Sequence, residues 1–184
     1  MRQMSAAAAA RQRRPVTGRE VPIEGMRAIL SRTDPSGVIT YVSRSLVEIS
    51  GYTEEEMLGQ PHNILRHPDM PCAVFHLMWM TLKAGKEFYG MTKNRAKNGD
   101  HYWVFARVAP IVRDGTLVGY TSARFIPKRE MIEEWDALYT RMLEAENASN
   151  VADSERCKHG AEVLVRFLRS KKADNLTEYV MRQL

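Results

Sequence analysis

The pattern of apolar and polar positions divides the chain into a region of short elements and a later region of longer helices. A short strand is predicted over residues 27–33, and residues 38–43 alternate β-branched and aromatic residues, which predicts a second strand. Asp34-Pro35-Ser36-Gly37 lies between them, and this order of residues is typical of a tight turn. The two strands are therefore expected to form a hairpin.

Short helices are predicted after this hairpin. Residues 44–50 place apolar side chains at helical spacing, and Thr53 to Glu56 have the signature of a capping box. Three prolines between residues 61 and 71 allow only short helical turns there. A longer helix is predicted over residues 72–84, since its apolar positions recur every three to four residues and Gly85 follows.

Three further strands are predicted over residues 87–96, 101–112 and 116–126. Asn98-Gly99 and Asp114-Gly115 separate them, and such pairs are strong signals for tight turns between antiparallel strands. Two strands, several short helices and a three-stranded meander favour an α+β fold. We expect a five-stranded antiparallel sheet with short helices on one face.

Amphipathic helices are predicted after Pro127, over residues 129–146, 153–169 and 175–184. Their apolar faces need a partner surface, either the preceding domain or another copy of the chain. The pattern thus predicts a flexible basic arm over residues 1–22, a domain over 23–127 and a helical extension over 128–184.

Composition narrows the class of protein. The chain has 184 residues and a net charge of +5, and no apolar run approaches the roughly 20 residues that cross a bilayer. We therefore expect a cytoplasmic protein without a membrane span. The basic ends lack the interleaved aromatic residues of a nucleic-acid site, so no nucleic acid is expected as a partner. The two cysteines, Cys72 and Cys157, are far apart and are interpreted as reduced thiols.

Candidate chemistry is concentrated in the segment from Gly59 to Pro71. Proline lowers the conformational freedom of this loop, and with it the cost of fixing side chains around a ligand. An arginine in such a loop can recognise a phosphate or the edge of a heterocycle. The alternative is a surface loop in which Arg66 and Asp69 pair with each other. The polar side chains of the segment are His62, Asn63, Arg66, His67 and Asp69.

Residues 26–127 resemble a PAS domain, and more closely the flavin-binding PAS domains of aerotaxis receptors. The resemblance covers roughly a hundred residues in the expected order. The matching runs are Ser50–Thr53, Gly59–Pro71, Met78–Lys83, Lys93–Arg95, Lys97–Trp103, Pro110, Val112–Gly115 and Gly119-Tyr120.

This resemblance implies a site for FAD. The Arg-His-Pro-Asp run of the family assigns FAD binding to Arg66, His67 and Asp69, with His62 and Asn63 beside them. It also places Trp79 on the helix that lines the flavin cleft and Asn94 on a strand that faces the cleft.

Two further residues bear on the flavin site. Trp103 is a second aromatic side chain that could stack on a flavin, although a buried aromatic residue usually belongs to the core. Ser43 stands where these domains usually have an asparagine, and a hydroxyl has less reach and fewer donors than an amide. The resemblance therefore leaves open a difference in flavin affinity.

The predicted function is a sensory domain that signals redox or oxygen state, as in aerotaxis and related chemotaxis signalling, through its C-terminal helices. A homodimer and a downstream signalling protein are the expected partners. FMN or haem are the alternative cofactors, with His76 as the candidate haem ligand, and a cofactor-free dimerisation module is a further alternative. No metal site is predicted. We do not expect an enzyme, because neither a Gly-x-Gly-x-x-Gly fingerprint nor a nucleophile–base arrangement is present.

Overall fold

The fold is built on an antiparallel sheet. A computed structural model describes residues 14–23, 28–148 and 153–183. Its five strands are β1 (Ile29–Thr33), β2 (Ile39–Val42), β3 (Phe88–Arg95), β4 (His101–Arg113) and β5 (Thr116–Phe125). They are ordered β2-β1-β5-β4-β3, and every neighbouring pair is antiparallel. The predicted fold class is therefore confirmed.

Short helices connect β2 to β3, as the proline and glycine pattern predicts. They are α1 (Arg44–Ser50), α2 (Glu54–Met57), a 3-10 helix (His62–Leu65) and α3 (Cys72–Lys83). Among the residues described after β5 there are three helices, namely α4 (Arg129–Asn147), α5 (Asp153–Ser170) and α6 (Leu176–Met181). Over the described residues, no helix combines the length and the apolar character that a bilayer crossing requires.

The hairpin between β3 and β4 is contacted by the chain before β1. The backbone N–H of Thr17 donates to the carbonyl of Gly99, and that of Val21 donates to the carbonyl of His101. Gly99 has a φ of +96°, and a Cβ at this position would lie 2.0 Å from the carbonyl oxygen of Pro15. Residues 14–23 therefore run against the hairpin, whereas residues 1–13 of the predicted arm lie outside the described range.

Helix α4 packs on the face of the sheet opposite α3. The phenol of Tyr139 donates to the carbonyl of Met91 at 2.6 Å, and its ring stacks on Trp103 with a centroid distance of 5.9 Å. Met91 and Trp103 alternate along their strands with residues that face α3, so they point to the other side. The sheet is thus covered on both faces near β3.

The amphipathic helices bury their apolar faces within this chain. Trp135, Leu138 and Met142 of α4 belong to the same buried cluster as Leu164 and Phe167 of α5. Burying a large apolar side chain stabilises the fold by about 1.5–3 kcal/mol. The sequence allowed either the preceding domain or another copy of the chain as the partner surface. The described helices pack against the preceding domain.

The interpretation of the cysteines as reduced thiols is wrong for this structure. Cys72 at the start of α3 and Cys157 in α5 form a disulfide across 85 residues of sequence. Their Cα atoms are 5.3 Å apart, which lies within the usual range for a disulfide. Sequence spacing could not reveal this pairing, because it depends on how α5 packs against α3.

Candidate functional site

A cavity of about 270 Å³ lies between the sheet and the elements that follow β2. This volume is near the lower end of the roughly 300–1,000 Å³ that ligand pockets usually enclose. The wall formed by α3 consists of apolar and aromatic side chains, namely Phe75, Met78, Trp79 and Leu82. The sheet contributes hydroxyls, an amide and a guanidinium. The cavity therefore has one apolar and one polar wall.

Strand alternation produces the polar wall. Thr92 and Asn94 are two residues apart on β3, and Ser122 and Arg124 are two residues apart on β5, so each pair shares a face. Ser31 on β1 lies directly opposite Ser122 in the register and points the same way. Strands β1, β5 and β3 thus direct polar groups into one cavity.

Arg124 is a buried cation in this wall, with only 4% of its surface exposed. Its guanidinium donates to Oγ of Ser31 at 3.1 Å and to Nε2 of His62 at 2.8 Å. No carboxylate among the described residues pairs with it. Burial lowers the pKa of Arg124, but a guanidinium stays charged at neutral pH. The wall therefore carries a positive charge that an anionic or electron-rich group would stabilise.

His62 holds this guanidinium as a neutral acceptor. Because Arg124 donates to Nε2, the imidazole carries its proton on Nδ1. Oγ of Ser31 lies 3.0 Å from the same Nε2. Burial, and then the charge of Arg124, lower the pKa of His62 to about 3. The imidazole is consequently uncharged at physiological pH and leaves the charge of Arg124 uncompensated.

Several buried polar atoms of the same wall have no partner within the described structure. They are Oγ1 of Thr92, Nδ2 of Asn94 and Oγ of Ser122. Leaving such a group without a hydrogen bond costs about 1–3 kcal/mol. All three residues line the cavity. Their arrangement fits a ligand with its own donors and acceptors along one edge.

Arg66 enters the cavity from the loop after the 3-10 helix. Its backbone is extended and forms an isolated antiparallel bridge with Asn94. The guanidinium lies 4.2 Å from the centre of the Phe75 ring and donates to the carbonyl of Met70 at 3.2 Å. The loop therefore runs beside β3 like a short extra strand, with Arg66 on the cavity side.

His67 and Asp69 lie on the other side of the same loop. The Lys93 ammonium lies 2.8 Å from Oδ2 of Asp69 and 3.5 Å from Oδ1 of Asp136 on α4. Nδ1 of His67 accepts a hydrogen bond from the backbone N–H of Asp69, and its ring meets the ring of His101 edge to face. Asp69 pairs with Lys93 here, so the alternative of an Arg66–Asp69 pair is not realised. These residues connect the loop to α4.

The pKa values of this cluster follow from burial and charge. Burial, together with the nearby charge of Lys93, lowers the pKa of His67 to about 4 despite the neighbouring Asp69. Burial acts to raise the pKa of Asp69, but the hydrogen bond and charge of Lys93, together with the neighbouring imidazoles of His67 and His101, lower it overall. At neutral pH the cluster therefore holds a neutral imidazole, a carboxylate and an ammonium.

The structure brings five of the nine predicted site residues to the cavity and leaves four outside it. Those in the lining are His62, Asn63, Arg66, Trp79 and Asn94, and those outside it are Ser43, His67, Asp69 and Trp103.

The four outside have other contacts. Ser43 caps α1 and accepts from the backbone N–H of Leu30, while Trp103 packs under α4. His76, the candidate haem ligand, is exposed and does not line the cavity. Cofactor contact at each predicted residue stays a prediction.

Sequence reasoning missed Ser31, Ser122 and Arg124. A signal for Arg124 was present, since it lies four residues after Tyr120 on a predicted strand and so shares its face. A charged residue on the buried face of a central strand points to a site. Recognising it required knowing that β5 lies between β1 and β4, which the sequence does not state.

Comparisons with known proteins agree with this fold. The family described as PAS fold matches residues 39–124. The aerotaxis receptor of Escherichia coli (strain K12) is 47% identical over 124 residues, which cover 67% of this chain and 24% of that protein. The biofilm dispersion protein BdlA of Pseudomonas aeruginosa is 31% identical over 118 residues, covering 59% of this chain and 28% of that protein. The chain thus spans about a quarter of the length of these relatives.

Solved structures of light-oxygen-voltage domains share the fold. One, described in work with a flavin analogue, superposes with a TM-score of 0.55 and 19% identity, covering 59% of this chain and 84% of its own. The blue-light photoreceptor Aureochrome1 domain in its dark state gives a TM-score of 0.53 and 20% identity, covering 59% and 85% respectively. The family match and the aerotaxis receptor show that this chain contains a PAS domain of the aerotaxis-receptor type.

Proposed function

We propose that the cavity binds a flavin, specifically FAD, and that the domain senses redox or oxygen state without being an enzyme itself. Arg124 carries this proposal, as a buried cation without a carboxylate partner among the described residues. It lies in a polar wall opposite an aromatic and apolar wall. An isoalloxazine ring has an apolar benzenoid end and a polar pyrimidine end, which suits two unlike walls.

The residues that would hold the isoalloxazine ring fall into two groups, one on the polar wall of the cavity and one on the apolar wall. Thr92, Asn94 and Ser122 offer buried polar atoms that lack partners, and Phe75 and Trp79 offer aromatic surface. One structural neighbour was studied with a flavin analogue, which supports a flavin here. The Arg-His-Pro-Asp run supports FAD rather than FMN, because the family that this run resembles binds FAD.

The proposed sensing chemistry depends on charge at the polar wall. A bound flavin would supply reversible uptake of electrons and protons beside Arg124. Arg124 would stabilise added negative charge, while His62 keeps the guanidinium in place through Nε2. Asn94 could exchange a donor for an acceptor by turning its amide, since it carries both.

The proposed route of the signal runs through β3 to the C-terminal helices. Asn94 faces the cavity, and the adjacent Lys93 faces α4 and contacts Asp136. A shift of β3 that follows a new hydrogen bond at Asn94 would change the contacts of Lys93. Differences of a few kcal/mol suffice to bias an element with two arrangements. We propose that these helices pass the signal on to a second copy of the chain or to a downstream signalling protein.

Spectroscopy of the purified protein tests the proposal together with one substitution. The expected absorbance is that of a flavin, and mass analysis of the ligand released on heating should identify FAD. Arg124→Met should reduce flavin retention by at least about tenfold, because a charge-assisted contact of about 1.5–3 kcal/mol is lost. The matched control is Arg107→Met, since Arg107 is exposed on β4 and pairs with Glu87.

Different results would favour the alternatives. A Soret band without flavin bands would indicate a haem-binding PAS sensor. A colourless and folded protein would indicate an interaction module. Equal flavin retention in the Arg124 and Arg107 variants would show that Arg124 does not hold the flavin, and it would contradict the proposed site.

A further inference from the structure

The disulfide between Cys72 and Cys157 joins the wall of the cavity to the C-terminal helices. Cys72 is the first residue of α3, whose later turns line the cavity, and Cys157 lies in α5. Both cysteines are half-buried rather than enclosed in the core. They are also the chain's two cysteines, which means that neither has another partner within the molecule.

The disulfide lies at a joint where three helices meet. Near the end of α4, the carboxylate of Glu146 accepts hydrogen bonds from the backbone N–H groups of Cys72 at 2.9 Å and of Ala73 at 3.0 Å. Gly160 of α5 contacts the same carboxylate so closely that a Cβ there would lie 2.2 Å from Oε1. Glu146 itself is 2% exposed. Close contacts therefore join the first turn of α3 and the last turn of α4 to α5, beside the two sulfurs.

We propose that Cys72 and Cys157 form a reversible thiol–disulfide site that latches α5 to α3. It is a redox input separate from the cavity and does not depend on a flavin. In the disulfide form, α5 is covalently tied to the helix that lines the cavity. In the dithiol form, non-covalent packing alone holds α5, and its local opening becomes easier.

The oxidant that we assign to this step is a low-molecular-weight disulfide such as oxidised glutathione. One cysteine thiolate attacks the glutathione disulfide, which forms a mixed disulfide and releases one glutathione thiolate. The second cysteine thiolate then displaces the other glutathione and completes the bond between Cys72 and Cys157. The two cysteines lose two electrons in total, and the two glutathione sulfurs gain them. The protons of both cysteine thiols end on the two released glutathione molecules.

The test combines a redox titration with hydrogen exchange on the full chain. The protein is equilibrated over a series of reduced-to-oxidised glutathione ratios, and free thiols are counted by alkylation and mass spectrometry. The disulfide should be present at the oxidising end of the series and absent at the reducing end. Amide exchange over residues 155–170 should be at least about tenfold faster in the dithiol form. The unfolding midpoint should be roughly 5–15 °C lower than in the disulfide form.

A variant with both Cys72→Ser and Cys157→Ser is the matched control. It should exchange like the dithiol form at every glutathione ratio and show no response to the oxidant. The proposal is overturned if the wild type forms no intramolecular disulfide, or if an excess of reduced glutathione cannot reduce that disulfide. It is also overturned if exchange in α5 is the same in both forms.

Discussion

At the scale of single residues, neighbouring positions of one loop belong to different parts of the molecule. Arg66 and His67 follow each other in sequence, yet Arg66 lines the cavity and His67 lies in the cluster that faces α4. The extended backbone beside Asn94 explains the division, because successive side chains of an extended segment point to opposite sides. A run that resembles one binding motif therefore supplies both a cavity wall and a link to the helices.

His62 and His67 should make the fold sensitive to acid. The pKa of His67 is lowered to about 4 and that of His62 to about 3, so an unfolded chain binds these protons first as the pH falls below about 6.5. The free energy of unfolding is therefore unaffected by these histidines above pH 6.5, and it falls as the pH drops from about 6.5 toward their lowered pKa values. Each imidazole should contribute up to about 1.4 kcal/mol per pH unit within its window.

Urea unfolding at pH 7.5, 6.0 and 5.0 checks this expectation. The free energy of unfolding of the wild type should fall over the series, and His67→Gln should make the fall shallower. His76→Gln is the control, because His76 is exposed on α3. A fall of equal steepness in the wild type and the His67 variant would contradict the assignment.

At the scale of elements, local pattern predicted the strands and helices but not how they meet. The Thr53 capping box and the Asn98-Gly99 turn are short-range signals, and both are present in the structure. The side of the sheet that α4 covers depends on contacts between residues about 48 positions apart, such as Tyr139 with Met91. The alignment of Ser31, Ser122 and Arg124 depends on the order of the strands, and the disulfide depends on the packing of α5 against α3. Periodicity alone could not reveal either.

The joint at the start of α3 gives a prediction for one carboxylate. Glu146→Gln removes the negative charge that faces the positive end of the α3 dipole, and it leaves one backbone N–H of the first turn opposite an amide donor. The free energy of unfolding should fall by about 1–2 kcal/mol. Glu144→Gln, on an exposed position of the same helix, should change it by less than about 0.5 kcal/mol.

Urea unfolding with the disulfide intact in each protein measures both changes. A Glu146 variant as stable as the Glu144 variant would mean that the buried carboxylate does not stabilise α3.

At the scale of the whole molecule, the C-terminal helices are part of the fold. One buried cluster contains Met91 and Trp103 of the sheet together with Trp135 of α4 and Phe167 of α5. A chain that ends at residue 127 would expose the sheet part of this cluster, and large exposed apolar patches favour aggregation.

Truncation after residue 127 should therefore lower the unfolding midpoint and cause self-association, whereas a chain that ends at residue 148 should keep much of the stability that α4 provides. Sedimentation and thermal unfolding of the two proteins check this. A monomeric chain ending at residue 127 that unfolds at the same midpoint as the full chain would contradict it.

The bridge between Arg66 and Asn94 ties the loop to β3 at one residue, and the backbone turns directly afterwards, where the N–H of Met70 donates to the carbonyl of His67. Asp69 lies in this turn and its carboxylate contacts Lys93, the neighbour of Asn94 on β3. The number of residues from Arg66 to Asp69 is therefore matched to one step along β3, so a change in the length of this short segment should break either the bridge or the ion pair.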